Sequence, residues 1–252
     1  MFKTLSNYIL GIYGALGLLF FVLCGAVVLL IVGLPLAIIE RGERERFGIL
    51  CSVLLATMCV RFLPMFCRLD VTGRENIPSR EGYLVISNHR SAVDIPLTIM
   101  TTYTQGVSKR IVLYMPFLGV LGYLGGAIFF KRKVAGERKR ALLESLEMMQ
   151  AGNGLQVYPE GTRTRDGKLR KPKLGLVQAC WDKGITVVPS ALWGTENVVP
   201  PPVQLRVGVR VYQRILTPMH PSDWPDRVSF AAEAWRRVVE ATETLERSVV
   251  KL

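Results

Sequence analysis

The chain has 252 residues, room for one full-sized domain and an accessory segment but short of two complete domains. Half of the residues are hydrophobic and the mean hydropathy is +0.28, so part of the chain is expected to have lipid as its solvent. The net charge of +12 is uneven, with residues 109–173 holding 14 Lys and Arg against 5 Asp and Glu. Such a field implies an anionic partner: a phospholipid surface, a phosphorylated substrate or a nucleic acid. No nucleic-acid-binding module is recognisable, and that reading would leave the apolar front of the chain unexplained. Only two histidines and five cysteines occur (Cys24, Cys51, Cys59, Cys67 and Cys180), without a CxxC pair, which argues against a structural zinc site. No metal is expected. The odd cysteine count and apolar neighbours suggest reduced thiols and a cytoplasmic catalytic part.

From Tyr8 to Ile39 no charged residue appears, 32 residues in all. As one helix this run would be about 48 Å long against a hydrocarbon core of about 30 Å, so a tilted span and a bent hairpin both fit. Gly25, Gly33 and Pro35 offer bends. The run lacks the short apolar core and cleavage site of a signal peptide and is expected to be retained. A second stretch, Phe47 to Cys67, carries Arg61 and Pro64 and reads as an interfacial or protein-covered helix. Arg41, Arg44 and Arg46 between the two place their loop on the cytoplasmic side, which favours one crossing or a re-entrant hairpin.

After Cys67 the pattern becomes that of an α/β domain. Tyr83–Ser87, Leu155–Tyr158 and Ile185–Pro189 read as buried strands. Val203–Val211 alternates strictly, with Arg206 and Arg210 on its polar face, and is the clearest predicted strand. Glu137–Gln150 reads as a helix with Leu142, Leu146 and Met149 on one face, Met148 beside it and Gly152 ending it. Its methionines are read as core. Ser229–Val250 carries Trp235, Val238, Val239, Leu245 and Val249 on a helical stripe that should pack against the domain.

Asn88-His89-Arg90-Ser91-Ala92-Val93-Asp94 directly follows the first buried strand, at a strand end where loops carry function. Along a regular helix, a spacing of five would hold His89 and Asp94 about 140° apart, so they meet only if the chain turns between them. Ser91 to Asp94 also resembles a capping box, but Pro96 fits a helix opening at Asp94 better than one opening at Ser91. Asp94 is thus read as a helix cap, a partner of His89, or both. Tyr158-Pro159-Glu160-Gly161-Thr162-Arg163 follows another strand. Gly161 lets backbone amides turn toward a ligand, and Arg163 supplies a planar fork for phosphate, followed by Arg165, Lys168, Arg170, Lys171 and Lys173. Taken alone, this stretch is equally well a solvated basic loop. His220, in a Pro-rich loop, is read as a surface or structural residue.

His-x4-Asp followed about 65 residues later by Pro-Glu-Gly-Thr-Arg resembles the glycerolipid acyltransferase family, typified by lysophosphatidic acid acyltransferases. Further matches stand in order: Lys109; Pro116, Gly119 and Gly122; Phe129-Phe130-Lys131-Arg132; Lys173 and Gly175; Val188-Pro189. The resemblance covers roughly residues 70–215. It implies that His89 is a general base and Asp94 its orienting acid, and that Lys109, Arg132, Gly161 and Arg163 hold the acceptor's phosphate. Asn88, Glu160, Thr162 and Lys173 belong to the same motifs without an assigned role, and Val188-Pro189 marks the acyl-binding side. Two departures bear on acceptor and chain preference: Ala92 stands where an aromatic is common, and Lys131 where an acid is common.

The expected architecture is α/β, a mixed, largely parallel sheet flanked by helices, preceded by N-terminal membrane-embedded or interfacial helices. Residues 1–68 would be the membrane-anchoring helices and 69–252 the acyltransferase domain. The expected partners are membrane lipids, a lysophospholipid acceptor and an acyl-thioester donor, either acyl-coenzyme A or acyl carrier protein; no cofactor and no nucleic acid are expected. Because no Gly-x-Ser-x-Gly occurs, direct transfer is expected rather than an acyl-enzyme. The rival reading is a non-catalytic peripheral protein that grips anionic headgroups and has no need of His89.

Overall fold

The computed structural model describes residues 67–114, 119, 122–123, 126–164, 168–198 and 208–250. The apolar run 8–39, the Arg41 loop and nearly all of the second stretch lie outside these residues. Among the described residues no helix is long and apolar enough to cross a membrane.

Seven strands form the sheet: β1 (Cys67–Thr72), β2 (Tyr83–Ser87), β3 (Thr104–Lys109), β4 (Ile128–Phe130), β5 (Gly154–Val157), β6 (Thr186–Trp193) and β7 (Val209–Ile215). Their order is β1-β7-β6-β2-β5-β3-β4. Every neighbouring pair is parallel except β6 and β7, which run antiparallel. The sheet is therefore mixed and largely parallel, as expected. The unbroken apolar character of β2 follows from its central place: Tyr83 pairs with Thr186 on one side and Gly154 on the other, and all five of its residues are buried.

Helices cover both faces. α1 (Asp94–Thr102) lies on one; α3 (Ala135–Gln150), α4 (Gly175–Asp182) and α5 (Arg227–Val250) lie on the other, while the short α2 (Arg110–Leu113) follows β3. The period of two along β6 sorts its side chains between these layers. Val187 and Ala191 face the α5 side, the latter against Ala241 and Leu245, whereas Val188 and Leu192 face the opposite side, where Leu97 of α1 packs on Leu192. The predicted helices appear as α3 and α5. The seam of α5 is built more from small residues than the expected stripe suggested: Phe230, Ala231, Ala234, Val238, Ala241 and Leu245 are buried, and Trp235 is half-buried. Met149 is core, with Met148 packed against it, as read.

The last strand runs beyond its expected end at Val211. β7 starts at Val209, after Gly208 at φ 78°, and runs on to Ile215; residues 203–207 lie outside the described set. The inward face continues as Val211, Gln213, Ile215, so a buried glutamine hid the end of the pattern. Its amide is satisfied: Thr101 Oγ1 donates to Gln213 Oε1 at 2.7 Å, and Gln213 Nε2 donates to Ser190 Oγ at 3.3 Å.

Candidate active site

Parallel strands deliver their following loops to one edge of the sheet, and a crevice outside the carboxyl ends of such strands is where open α/β folds place ligands. Four of these ends carry the candidate residues: His89 after β2, Lys109 closing β3, Arg132 after β4 and Glu160–Arg163 after β5.

His89 and Asp94 meet because the chain turns between them. His89 Nδ1 lies 2.8 Å from Asp94 Oδ2, and the same oxygen accepts the backbone N–H groups of Arg90 at 2.6 Å and Ser91 at 2.7 Å. Asp94 is fully buried. It is not the helix cap. Val93 precedes α1 in helical conformation, no side chain caps the helix, and Asp94 is its first residue, with its carboxylate folded back over the loop. Pro96 thereby sits in the tolerant first turn. An ionised carboxylate can only accept, so Nδ1 carries the hydrogen and Nε2 keeps a lone pair that can take a proton. Tyr158 stacks on the imidazole with ring centroids 4.2 Å apart. Its hydroxyl lies 3.2 Å from Thr98 Oγ1; burial pushes this phenol well above its ordinary pKa, and the Asp94 charge adds to the effect.

Glu160 acquires a definite task. Its Oε1 accepts the His89 backbone N–H and its Oε2 the Arg170 backbone N–H, both at 2.9 Å. Thr164 N–H donates to the His89 carbonyl, also at 2.9 Å, so the His89 peptide is held from both sides by the loop after β5. Asn88 is equally structural: its amide donates to Leu192 O and accepts from Leu192 N–H, both at 2.8 Å, which clamps the His89 loop to β6. Lys173 uses its backbone N–H to hold the Pro159 carbonyl, and its side chain is exposed.

Gly161 adopts φ +69°, and Arg132 donates to its carbonyl through Nη1. A Cβ at Gly161 would come within 3.2 Å of that nitrogen. Burial lowers the Arg132 guanidinium from its ordinary pKa. One of its five N–H donors serves Gly161, which leaves a fork able to take a phosphate. Lys109, Thr162 and Arg163 are exposed on the same edge. Val188 is fully buried against Tyr83, Val85 and Ile215, on the face opposite Val187.

Sequence reasoning passed over Tyr158 as a strand end and Arg90 as a motif filler. Arg90 is buried and donates to Glu196 Oε1 at 2.7 Å, which ties the loop to the turn after β6. The position of Tyr158 directly before Pro159-Glu160-Gly161 was the available signal. Two clefts of about 410 and 420 Å³ open around Ile77, Pro78 and Glu81 at the opposite, N-terminal ends of the strands, and they contain none of these candidates. His220 lines one of them, exposed, with Nδ1 3.1 Å from Thr186 Oγ1.

Residues 68–193, half of the chain, match the Acyltransferase family and contain all of the candidate site residues. The chain belongs to the acyltransferase family. Its sequence is 29% identical over 148 residues to the 1-acyl-sn-glycerol-3-phosphate acyltransferase of Borreliella burgdorferi, covering 58% of this chain and 59% of that one. It is 30% identical over 177 residues to a chloroplastic 1-acyl-sn-glycerol-3-phosphate acyltransferase of Brassica napus, covering 69% and 50%. The chain thus spans about half to three fifths of the length of these curated relatives. The crystal structure of the 1-acyl-sn-glycerophosphate acyltransferase from Thermotoga maritima superposes with a TM-score of 0.78 over 97% of this chain and 98% of that one, at 24% identity. The acyltransferase shares that fold.

Proposed function

We propose that this acyltransferase moves a fatty acyl group from an acyl-thioester, carried by acyl carrier protein or coenzyme A, to the free hydroxyl of lysophosphatidic acid, giving phosphatidic acid on the cytoplasmic face of a membrane. The observation that carries the reading is the His89–Asp94 pair at the carboxyl edge of the parallel strands, with Arg132 and Gly161 joined on the same edge. His89 Nε2 takes the proton of the acceptor hydroxyl as its oxygen attacks the thioester carbonyl. The tetrahedral intermediate collapses, the C–S bond breaks, and the imidazolium returns its proton to the departing thiolate. Asp94 fixes the tautomer and stabilises the imidazolium, acting through His89 as a positioning residue. Lys109, Arg132 and Arg163 hold the acceptor's phosphate, so its hydroxyl arrives in register. The sequence holds no Gly-x-Ser-x-Gly, which supports direct transfer over an acyl-enzyme.

The test is acyl transfer by detergent-purified protein from both thioester types to lysophosphatidic acid and a panel of other lysolipids. Wild type should acylate lysophosphatidic acid, and His89→Ala should lose about 10²–10⁴-fold in rate. Preference for another lysolipid would correct the acceptor. A folded wild type that acylates none of them from either donor would overturn the proposal.

A further inference from the structure

Tyr158 stands between β5 and the Pro159-Glu160-Gly161 turn, and it reaches both members of the His89–Asp94 pair. Its ring lies over the His89 imidazole with centroids 4.2 Å apart and planes 18° apart, a near-parallel stack. Its hydroxyl meets α1. Thr98 has one hydroxyl hydrogen, which goes to the Asp94 carbonyl at 2.8 Å, so in the 3.2 Å contact with Thr98 Oγ1 it is Tyr158 that donates. A chain of two bonds thus runs from the phenol through Thr98 to the Asp94 peptide. The hydrogen bond at Nδ1 settles which nitrogen faces Asp94, but a single bond leaves the imidazole free to tilt about it. The Nε2 lone pair lies in the ring plane, so a tilt would swing it away from a substrate hydroxyl. The stack removes that freedom. Glu160, two residues on, holds the His89 N–H, so one strand end secures both the peptide and the ring of His89.

We infer that Tyr158 is a positioning residue for the transfer, whose ring holds the plane of the His89 imidazole and favours the imidazolium that forms when the acceptor hydroxyl gives up its proton. The role rests on the acyl-transfer mechanism proposed above; the stack itself does not. An aromatic face is electron-rich and attracts a cation within about 6 Å of its centroid, and the attraction grows where water is excluded. The His89 side chain is only 13% exposed, so its imidazolium gains more from the Tyr158 face than the neutral ring does. Burial pushes the phenol well above its ordinary pKa, which keeps Tyr158 neutral beside Asp94. The ring, rather than the hydroxyl, is the part that acts on the base.

Two variants of the full chain separate ring from hydroxyl. Tyr158→Phe keeps the stack and loses the bond to Thr98, whereas Tyr158→Leu loses both. At saturating acceptor, Tyr158→Phe should turn over near the parent rate, and Tyr158→Leu should lose about tenfold in kcat with KM for the lysolipid unchanged. A merely loosened turn would act through Gly161 and Arg132 and raise KM instead. The stack is read directly by NMR of the detergent-purified chain with an isotope label on histidine Cε1, since the two histidines give one Hε1 signal each and His89→Ala assigns them. A proton above an aromatic face is shifted upfield. The His89 signal should therefore stand in the same upfield place in the parent and Tyr158→Phe and move downfield in Tyr158→Leu, while the His220 signal stays fixed. No substrate is needed, so failure of the stack is distinct from failure of the acyl-transfer reading. Tyr158→Met, an adaptable apolar replacement, serves if the leucine variant does not fold. Three results would each overturn the inference: a His89 signal that ignores removal of the ring, a loss of kcat in Tyr158→Phe as large as in Tyr158→Leu, or a folded ring-less variant whose kcat matches the parent's, whatever its KM.

Discussion

Replacing Asp94 by Asn tests whether the carboxylate acts through its charge or only through its shape. The amide oxygen can occupy the position of Oδ2 and still accept from His89 Nδ1, Arg90 N–H and Ser91 N–H, so the loop keeps its bonds. What disappears is the negative charge beside the imidazolium that, in the proposed mechanism, forms as the acceptor hydroxyl loses its proton. Two unit charges roughly 4 Å apart at an effective dielectric of about 20 interact by about 4 kcal/mol, and each 1.36 kcal/mol of barrier is about tenfold in rate. Asp94→Asn should therefore lower kcat by about 10³-fold and leave KM for the lysolipid nearly unchanged. Thiol release from the acyl-thioester, followed at saturating acceptor, measures it, and circular dichroism checks that the variant is folded. A folded variant that loses less than about tenfold in kcat would refute the electrostatic account and leave Asp94 a purely geometric role.

Three further outcomes follow from particular contacts. Glu160→Gln must give up one of its two accepted backbone bonds and turn an NH₂ toward an N–H, at about 1–3 kcal/mol. Its thermal midpoint should fall by roughly 2–4 °C per kcal/mol, and an unchanged midpoint would remove Glu160 from the tie between the two loops. Gly161→Ala introduces left-handed strain of about 1 kcal/mol and crowds Arg132, so KM for the acceptor should rise several-fold more than kcat falls; the reverse split would place Gly161 in the chemical step. In α5, bonding to Arg236, then to Arg237, holds the Glu233 carboxyl at about 2 against an ordinary 4.5. Because the folded value is depressed, the stabilisation is present above pH 4.5 and is lost as pH falls toward about 2. Urea midpoints of Glu233→Gln should fall below the parent's above that window and converge with them inside it; a constant gap would contradict the linkage.

The central strands were legible because β2, β5 and β6 are short apolar runs buried on both faces, and α3 and α5 because helical stripes of that length are hard to mistake. Three strands escaped. β3 reads Thr104-Gln105-Gly106-Val107-Ser108-Lys109, with Thr104 and Gln105 buried despite their polarity, and β4 has three residues inside a longer apolar stretch. β1 does alternate, with Leu69 and Val71 inward and Arg68 and Asp70 exposed, but its first residue closes the second apolar stretch, which hides where the strand begins. In the site, residue types pointed to His89, Asp94, Gly161 and Arg163, and the family resemblance added Arg132. The bond from Glu160 to the His89 backbone and the Leu192 clamp of Asn88 were out of reach, since they span 71 and 104 residues of sequence and leave no local pattern.

Those long-range bonds explain why two motifs so far apart act as one unit. Asp94 organises its loop from within, drawing the His89 ring and two amides onto one oxygen, and its place at the start of α1 sets a carboxylate where the helix dipole favours negative charge. Internal bonds alone would leave the loop free to move as a body. Glu160 and Thr164 remove that freedom by gripping the N–H and carbonyl of His89 from the loop after β5, while Asn88 fixes the other flank to β6. The loop that orients the imidazole is also the one that presents Gly161 and, through its carbonyl, Arg132. On the proposed mechanism, the base and the phosphate-binding edge are thereby held to a common frame. A hydroxyl and a phosphate on one acceptor need a fixed distance between these two groups, which a histidine tethered only to its own strand would not supply.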